Sequence, residues 1–248
     1  MVFLPHINKE LQVVREHSDW IVVNKPPNLL VHPTRPDGVL TLIDQVRERY
    51  PHETLAIINR LDRETSGLVL ISRHSKAASL LGKMTMARQI KKRYLAIVTG
   101  KTPAAASIIA SLDRLIKHEP SRIHVKQAVI PQTYTATTRL QRIDLRQDAH
   151  GRLYSLLELE LETGRLHQIR VHLQRINHPV LGDKLYGPDD QCYLDFIEHG
   201  WTELLAEKLQ HWRQALHAHH VRFLWNNEPM HIEIPLSPDL QDYWNSLT

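Results

Sequence analysis

Asp62 is the residue of this sequence best suited to chemistry, because it lies between Arg60 and Arg63. Nearby positive charge favours the carboxylate over the neutral acid, so Asp62 should stay ionised. The chain continues through Thr-Ser-Gly at residues 65–67 into an apolar run at residues 68–71. Asp62 thus lies where a turn meets a strand, and a scaffold can aim such a side chain into a cleft. On composition alone, a surface salt-bridge cluster is the more frequent explanation of this pattern.

Five segments along the chain combine polar residues with apolar strands or helices. The segments are VVNKP with VHP at residues 22–26 and 31–33, INRLDRETSGL at 58–68, KKRYLA at 91–96, TGRLHQIRVH at 163–172 and HPVLGDKLYG at 178–187. In this order, they resemble the motifs of the RluA family of RNA pseudouridine synthases, over most of the chain from about Val13 to about Pro238.

Two asparagines depart from the usual pattern of that family. Asn59 stands before Arg60, where histidine is usual, and Asn28 follows the Lys-Pro motif, where glycine is common. Asparagine tolerates a positive φ better than most residues, so Asn28 can replace a turn glycine. Asn59 can form hydrogen bonds but cannot titrate near neutral pH. The change to Asn59 therefore bears on local packing or RNA contact more than on the chemistry.

The resemblance implies that the chain isomerises uridine in RNA to pseudouridine. The bond from ribose C1′ to uracil N1 breaks and C1′ joins C5, so we expect no redox cofactor, metal or nucleotide. The resemblance makes Asp62 the catalytic residue, which either attacks C1′ or removes the C2′ proton, and the sequence leaves both roles open. It also places Tyr94 against the target base and pairs Arg170 with Asp62, with Arg165 as the rival for that pairing.

RNA is the expected partner, and both transfer RNA and large-subunit ribosomal RNA remain open. The target uridine must leave its stack, and by resemblance Arg60 fills the vacated space and holds phosphate. Phosphate contacts position RNA without reading its sequence, and a solvated strand edge would also explain the basic run beside Tyr94. The expected RNA-binding residues are Arg60, Lys91, Lys92, Arg93, Arg165 and His167.

The composition limits the class of protein. A net charge of +4 and a pI of about 9.2 suit a polyanionic partner. The single cysteine, Cys192, cannot form an internal disulfide, which favours a cytoplasmic location. No apolar run approaches the ~20 residues of a membrane helix, so we expect no membrane association. No zipper pattern is present, and we expect a monomer.

The densest group of histidines in the sequence is a candidate metal site. His217 and His219 would share one face of a strand, a spacing that can bind metal. No cysteine or carboxylate completes the set, and a polar strand face explains the pattern as well, so we expect no metal site.

The pattern of elements predicts an α+β protein. Apolar and polar residues alternate at residues 133–143 and 152–162, and a turn at residues 148–151 lies between these stretches. This pattern predicts an antiparallel hairpin. Helices are predicted at residues 42–50 with Thr41 as N-cap and at 76–87 with Ser75 as cap.

Three more elements are predicted towards the C-terminal end of the chain. Residues 166–176 should form a helix that buries Leu166 in its apolar stripe, with His167 and Arg170 on a neighbouring face. The apolar spacing from Trp201 to Leu216 predicts a further helix. Strands are predicted at residues 221–225 and 230–234, around the turn Asn226-Asn227.

The family resemblance sharpens the fold class to the pseudouridine synthase catalytic fold. That fold has a mixed, mainly antiparallel sheet with flanking helices and a basic RNA-binding cleft. We expect residues 1–248 to form a single catalytic domain without a separate N-terminal RNA-binding domain.

Two other functions compete with this interpretation. A non-catalytic RNA-binding or ribosome-assembly protein could keep the fold, and Asn59 favours this weakly while Asp62, Tyr94 and Arg170 argue against it. A glycosyl hydrolase would normally need a pair of carboxylates around the bond. Only Glu64 lies near Asp62, and it has no comparable motif.

Overall fold

The computed structural model of the protein describes residues 10–33 and 38–248, and the chain divides into two compact units. The larger unit consists of Tyr94–Leu216 with Pro238–Thr248. The smaller unit consists of the described residues up to Arg93 together with His217–Ser237. That residues 1–248 act as one catalytic domain stays a prediction.

Strands and helices are interspersed along the described chain. The strands are β1 (Gln12–Glu16), β2 (Trp20–Lys25), β3 (Ala56–Ile57), β4 (Ser66–Ser72), β5 (Lys91–Thr99), β6 (Ala105–Arg114), β7 (Gln127–Val129), β8 (Tyr134–Gln147), β9 (Leu153–Leu161), β10 (Leu216–Trp225) and β11 (Glu228–Glu233). The helices are α1 (Leu42–Arg49), α2 (Ser75–Met86), α3 (Gln168–Arg175), α4 (Gln191–His199), α5 (Glu203–Leu209) and α6 (Pro238–Asn245).

The smaller unit is built around β4, which is buried along its whole length. β2 pairs antiparallel with one edge of β4, while β3 pairs antiparallel and β10 parallel with the other edge. Leu68 and Leu70 pack with α2 on one face, and Val69 and Ile71 pack with α1 on the other. Because both faces are covered, β4 has the continuous apolar sequence that is typical of a buried strand.

The larger unit contains the strand order β5-β9-β8-β6-β7. The hairpin predicted on both sides of residues 148–151 is confirmed as β8 and β9, which pair antiparallel. α3 packs across β6, β7 and β8, with Val171 in a core that also holds Leu112 and Tyr186. Cys192 is buried in a separate apolar cluster with Leu205, so it serves as a packing residue.

The predicted fold class, α+β with a mixed and mainly antiparallel sheet, is confirmed. Within the described residues, β4 and β10 are parallel and the other strand pairs with a described register are antiparallel. Asn226 and Asn227 have φ of +51° and +66° between β10 and β11, as a two-residue hairpin turn requires. The basic cleft stays a prediction. No described helix combines the length and apolar character needed to cross a bilayer.

Two predicted helix starts are wrong by one or two residues. α3 begins at Gln168 because His167, at φ +55°, has a left-handed conformation that cannot continue a helix. Leu166 therefore lies before the helix and is 37% exposed, which corrects its assignment to the buried stripe. The cap of α2 is His74, whose Nδ1 accepts a hydrogen bond from the Ala77 N–H at 3.2 Å, and Ser75 is the first helical residue.

The predicted helix from Trp201 to Leu216 is also wrong over half of its length. α5 ends at Leu209, where Gln210 adopts a φ of +61°. Leu216 instead begins β10. A row of apolar residues at helical spacing can thus continue across a helix end, because residues beyond the end are buried for other reasons.

Candidate active site

The turn that carries Asp62 is fixed to β4 by the side chain of Asn59. The Asn59 Nδ2 donates to the Leu68 carbonyl at 3.1 Å, and the Asn59 Oδ1 accepts from the Leu70 N–H at 2.8 Å. One amide thus meets both a donor and an acceptor of the strand backbone, as a neighbouring strand residue would. Asn59 therefore holds the start of the turn in place.

A buried lysine fixes the other side of the same turn. Lys25, at the end of β2, is fully buried, and its ammonium donates to the carbonyl oxygens of Pro26, Leu29 and Arg63 at 2.8, 2.9 and 3.0 Å. Asn28 lies between the first two carbonyls at φ +59°, which confirms that it occupies a turn position suited to glycine. Burying an ammonium is costly unless it is hydrogen-bonded, and here it fastens the residue that follows Asp62.

The chain then enters β4 through a tight contact with β10. The Thr65 N–H donates to the Asp62 carbonyl at 3.2 Å, closing the turn. Gly67 has a φ of +112°, and a Cβ there would lie 2.2 Å from the Ala218 carbonyl oxygen. Glycine is therefore required at this point. The half-buried Asp62 side chain is presented by a turn that is restrained at both ends.

Asn59→Leu is expected to lower the free energy of unfolding by about 1–3 kcal/mol, because the Leu70 N–H and Leu68 carbonyl each lose a partner. Urea denaturation would measure the change. Asn24→Ala is the control, because the Asn24 amide donates only to the exposed Gln12 side chain and its loss should cost less than about 0.5 kcal/mol. Equal stability of the Asn59 variant and the wild type would contradict the anchoring role.

Arg170 forms a buried bidentate ion pair with Asp183. The Arg170 Nε lies 2.6 Å from the Asp183 Oδ2, and Nη2 lies 2.9 Å from Oδ1. Asp183 Oδ1 also accepts from the N–H groups of Leu185 and Tyr186, both at 2.9 Å. Burial alone would raise the pKa of the Asp183 carboxyl, but the charge and hydrogen bonds of Arg170 and these two N–H groups hold that pKa below its ordinary value.

Tyr186 joins His167 to the same cluster. The Tyr186 hydroxyl lies 2.8 Å from His167 Nδ1 and accepts from the Gln127 N–H at 2.8 Å. The Arg170 guanidinium lies over the Tyr186 ring, 4.9 Å from its centroid. His167 and Arg170, predicted to share a face of a helix, thus meet through a buried tyrosine.

The loop before α3 is attached to β8 by Gln168, which is buried. Its Oε1 accepts from the Thr163 hydroxyl at 2.7 Å and the Arg165 N–H at 3.1 Å. Its Nε2 donates to the Thr137 carbonyl at 3.0 Å. Arg165 is exposed, and its guanidinium lies over the Tyr134 ring at 4.7 Å from the centroid.

The remaining predicted site residues lie on β5 or next to Asp62. Tyr94 is buried, at 6% exposure, which suits a core aromatic as well as a residue that contacts a base. Lys91, Lys92 and Arg93 are half-buried, and burial lowers the pKa of the Lys92 ammonium. Arg60 is exposed. The described residues contain no group of three or more His, Cys, Asp or Glu side chains that could hold a metal.

The predicted residues are distributed over both units of the chain. Those of the smaller unit are Arg60, Asp62, Lys91, Lys92 and Arg93, and those of the larger unit are Tyr94, Arg165, His167 and Arg170. Within the larger unit, the structure brings His167 and Arg170 to Tyr186. The pairing of Arg170 with Asp62 stays a prediction.

Sequence reasoning missed the side chains that support these residues. Lys25, Asp183 and Gln168 each lie in one of the segments that carry the family resemblance, but none was assigned a role. The available signal was a charged or amide side chain among apolar neighbours, because a polar group that is buried needs partners.

The chain is similar in sequence to known proteins of one family. Residues 19–175 match the sequence profile of the family described as RNA pseudouridylate synthase. An uncharacterized RNA pseudouridine synthase of Chloroflexus aurantiacus is 40% identical over 171 residues, covering 66% of this chain and 51% of that protein. The ribosomal large subunit pseudouridine synthase D of Xanthomonas campestris pv. campestris is 34% identical over 246 residues, covering 96% of this chain and 69% of that protein.

A solved structure of a pseudouridylate synthase is similar in fold to this chain. Human RNA Pseudouridylate Synthase Domain Containing 1 superimposes with a TM-score of 0.73 at 25% identity, covering 99% of this chain and 91% of that chain. Among the curated relatives, the chain spans only about half the length of the Chloroflexus protein and about two thirds of the Xanthomonas protein. With the profile match and these similarities, the chain belongs to the RluA type of the RNA pseudouridylate synthase family.

Proposed function

We propose that this protein is an RNA pseudouridine synthase, an isomerase that converts specific uridines in ribosomal or transfer RNA, with Asp62 as the catalytic carboxylate. The observation that carries the proposal is the restrained turn of Asp62. The Asn59 side chain binds this turn to β4, and the Lys25 ammonium binds the Arg63 carbonyl within it. A carboxylate on a restrained turn is held ready for one geometry, as catalysis by positioning requires. The name of the Xanthomonas relative favours ribosomal RNA of the large subunit as the substrate.

The reaction rearranges bonds without changing the composition of the nucleotide. The C1′–N1 bond breaks, C1′ joins C5, the proton on C5 leaves and N1 gains a proton. Asp62 acts at the sugar, either as the nucleophile at C1′ or as the base for the C2′ proton. Tyr94 then contacts the base and assists removal of the C5 proton. Arg170 keeps the catalytic carboxylate ionised and oriented through the guanidinium N–H groups that do not bind Asp183.

RNA binding is proposed to depend on the basic residues near Asp62, Tyr94 and Arg170 in the sequence. Flipping the uridine out of its stack costs a few kcal/mol, which phosphate contacts must offset. Arg60 is exposed and can fill the space that the flipped uridine leaves, while Lys91, Lys92, Arg93, Arg165 and His167 hold the backbone. No cofactor takes part in this scheme. A monomeric state, a cytoplasmic location and a single catalytic domain belong to the same proposal.

Pseudouridine mapping of total RNA from cells with and without the gene tests the proposed function. The expected result is one or a few uridines that lose modification in the deletion and regain it when the purified protein is added to that RNA. Free uracil among the products would favour the hydrolase instead. RNA binding without any modified position would favour a non-catalytic RNA-binding protein.

Tyr94→Phe is expected to slow the release of tritium from C5-labelled uridine in RNA by about 10²-fold, since the ring remains but the hydroxyl that assists proton removal is lost. RNA affinity should stay unchanged. Tyr154→Phe is the control, because Tyr154 is also buried, on β9, and its hydroxyl contacts Asp148 and Gln210. Tritium release by Tyr94→Phe at the wild-type rate would show that the hydroxyl is dispensable.

A further inference from the structure

Tyr134 is an exposed aromatic residue to which the proposed chemistry gives no role. It begins β8 and is 54% exposed, although burial of a large aromatic ring usually stabilises the fold. Its backbone is opposite Leu112 in the ladder between β6 and β8, so its position is fixed while its ring reaches solvent. Leu112 itself is buried on the same face of the sheet, under α3. Tyr134 thus stands at the rim of a packed core.

Arg165 covers this ring and is available for a ligand. Its guanidinium lies 4.7 Å from the Tyr134 ring centroid, within the range of a cation–π interaction. Among the described residues, no carboxylate pairs with Arg165. This differs from Arg73, which lies over Tyr50 but is also bound by Glu53 and Glu16. No acid within the described chain therefore neutralises the charge of Arg165.

The backbone of Arg165 is held in place by hydrogen bonds to a buried glutamine. Gln168 is 2% exposed, and its amide accepts from the Arg165 N–H and donates to the Thr137 carbonyl and the Thr138 hydroxyl of β8. The loop of Arg165 is thus connected directly to β8, the strand that begins with Tyr134. A flexible arginine loses less entropy on binding when its backbone is already fixed.

We propose that Tyr134 and Arg165 form a stacking subsite for an unpaired nucleobase of the RNA substrate, outside the position of the target uridine. RNA-binding proteins commonly stack splayed bases on aromatic rings or on guanidinium planes. In this subsite one face of the guanidinium packs on the Tyr134 ring, the base packs on the other face, and the N–H groups reach the adjacent phosphate. This inference rests on the proposed function for its ligand class. It adds that single-stranded segments of the RNA are recognised by stacking as well as by charge.

Binding of a labelled oligouridylate of about 12 nucleotides, compared with an RNA duplex of similar length, tests the subsite. Tyr134→Ile keeps an apolar, strand-forming side chain but removes the ring, and Arg165→Lys keeps the charge but removes the plane. Each is expected to weaken single-strand binding about tenfold. Neither should change duplex binding or the salt dependence, because the charge is kept in both variants.

Tyr134→Trp and Ile109→Ala are the matched controls. Tryptophan keeps an aromatic ring under Arg165, so affinity should stay within about twofold of the wild type. Ile109 is 68% exposed on the neighbouring strand β6 and faces the other side of the sheet, so its truncation should have no effect. Thermal unfolding of each variant confirms that the fold is kept. Unchanged single-strand affinity of Tyr134→Ile, or equal losses in Tyr134→Trp, would overturn the subsite.

Two results distinguish an error in the stacking subsite from an error in the proposed function. If the wild type modifies RNA from gene-deleted cells while Tyr134→Ile binds the oligouridylate normally, the subsite alone is wrong. If Tyr134→Ile loses affinity but the wild type forms no pseudouridine, the stacking subsite stands and the proposed chemistry is wrong. If both stand, Tyr134→Ile should raise KM for that RNA and leave kcat within about twofold.

Discussion

Asp62→Asn is expected to slow pseudouridine formation by about 10³-fold or more while the protein stays folded. The amide has nearly the same shape as the carboxylate, but it can neither attack C1′ nor accept the C2′ proton well. The turn should survive the change, because Asn59 and Lys25 hold it through backbone groups of β4 and Arg63. Loss of activity would thus report on chemistry and not on folding.

Tritium release from C5-labelled uridine under single-turnover conditions would measure the effect, with RNA affinity determined in parallel. Glu64→Gln is the matched control, because Glu64 is also a half-buried acid of the same turn and has no assigned role. It should keep activity within about tenfold of the wild type. Asp62→Asn activity within tenfold of wild type, in a protein that still binds RNA, would remove Asp62 from the catalytic role.

Features set by local sequence could be predicted. The turn at Asn226 and Asn227 needs only residues that tolerate a positive φ, and its two flanking strands pair with each other. The first helix is also local, because Thr41 precedes it and the Asp44 carboxylate accepts from the Thr41 N–H at 3.1 Å. In both cases the interacting groups are only a few residues apart.

Features set by distant contacts could not be predicted. Lys25 is charged and ends an apolar strand, and only the folded chain places the Arg63 carbonyl beside its ammonium. The helical spacing beyond Leu209 was misleading because Leu216 is buried as part of β10. Likewise, the family resemblance identified Arg170 but gave no sign that Asp183 would be its partner in the larger unit.

The buried pair of Arg170 and Asp183 changes what a substitution of Arg170 can show. Arg170→Met is expected to lower the free energy of unfolding by about 3–5 kcal/mol, because it leaves the fully buried Asp183 carboxylate without its guanidinium. A loss of activity in this variant alone would therefore mix unfolding with catalysis. Urea denaturation and kinetics must be measured on the same preparations.

The double variant Arg170→Met/Asp183→Asn separates the two effects. The amide oxygen that replaces the Asp183 carboxylate can still accept from the Leu185 and Tyr186 N–H groups, but no buried charge is left without a partner. The double variant should therefore be more stable than Arg170→Met. If Arg170 acts in the reaction, the kcat of the double variant should nevertheless stay low, by about 10²-fold or more, at a temperature where it is folded.

Arg213→Met provides the control for a buried arginine without a proposed role. Arg213 is fully buried and forms a bidentate ion pair with Asp239, with Nε at 2.6 Å and Nη2 at 2.9 Å from the carboxylate oxygens. Its loss should also destabilise the protein, but kcat per folded molecule should stay within about tenfold of the wild type. If the double variant regains both stability and wild-type kcat, Arg170 serves only to hold Asp183 and the loop around it. A stable double variant with low kcat, beside a normal kcat for folded Arg213→Met, would assign Arg170 to the reaction.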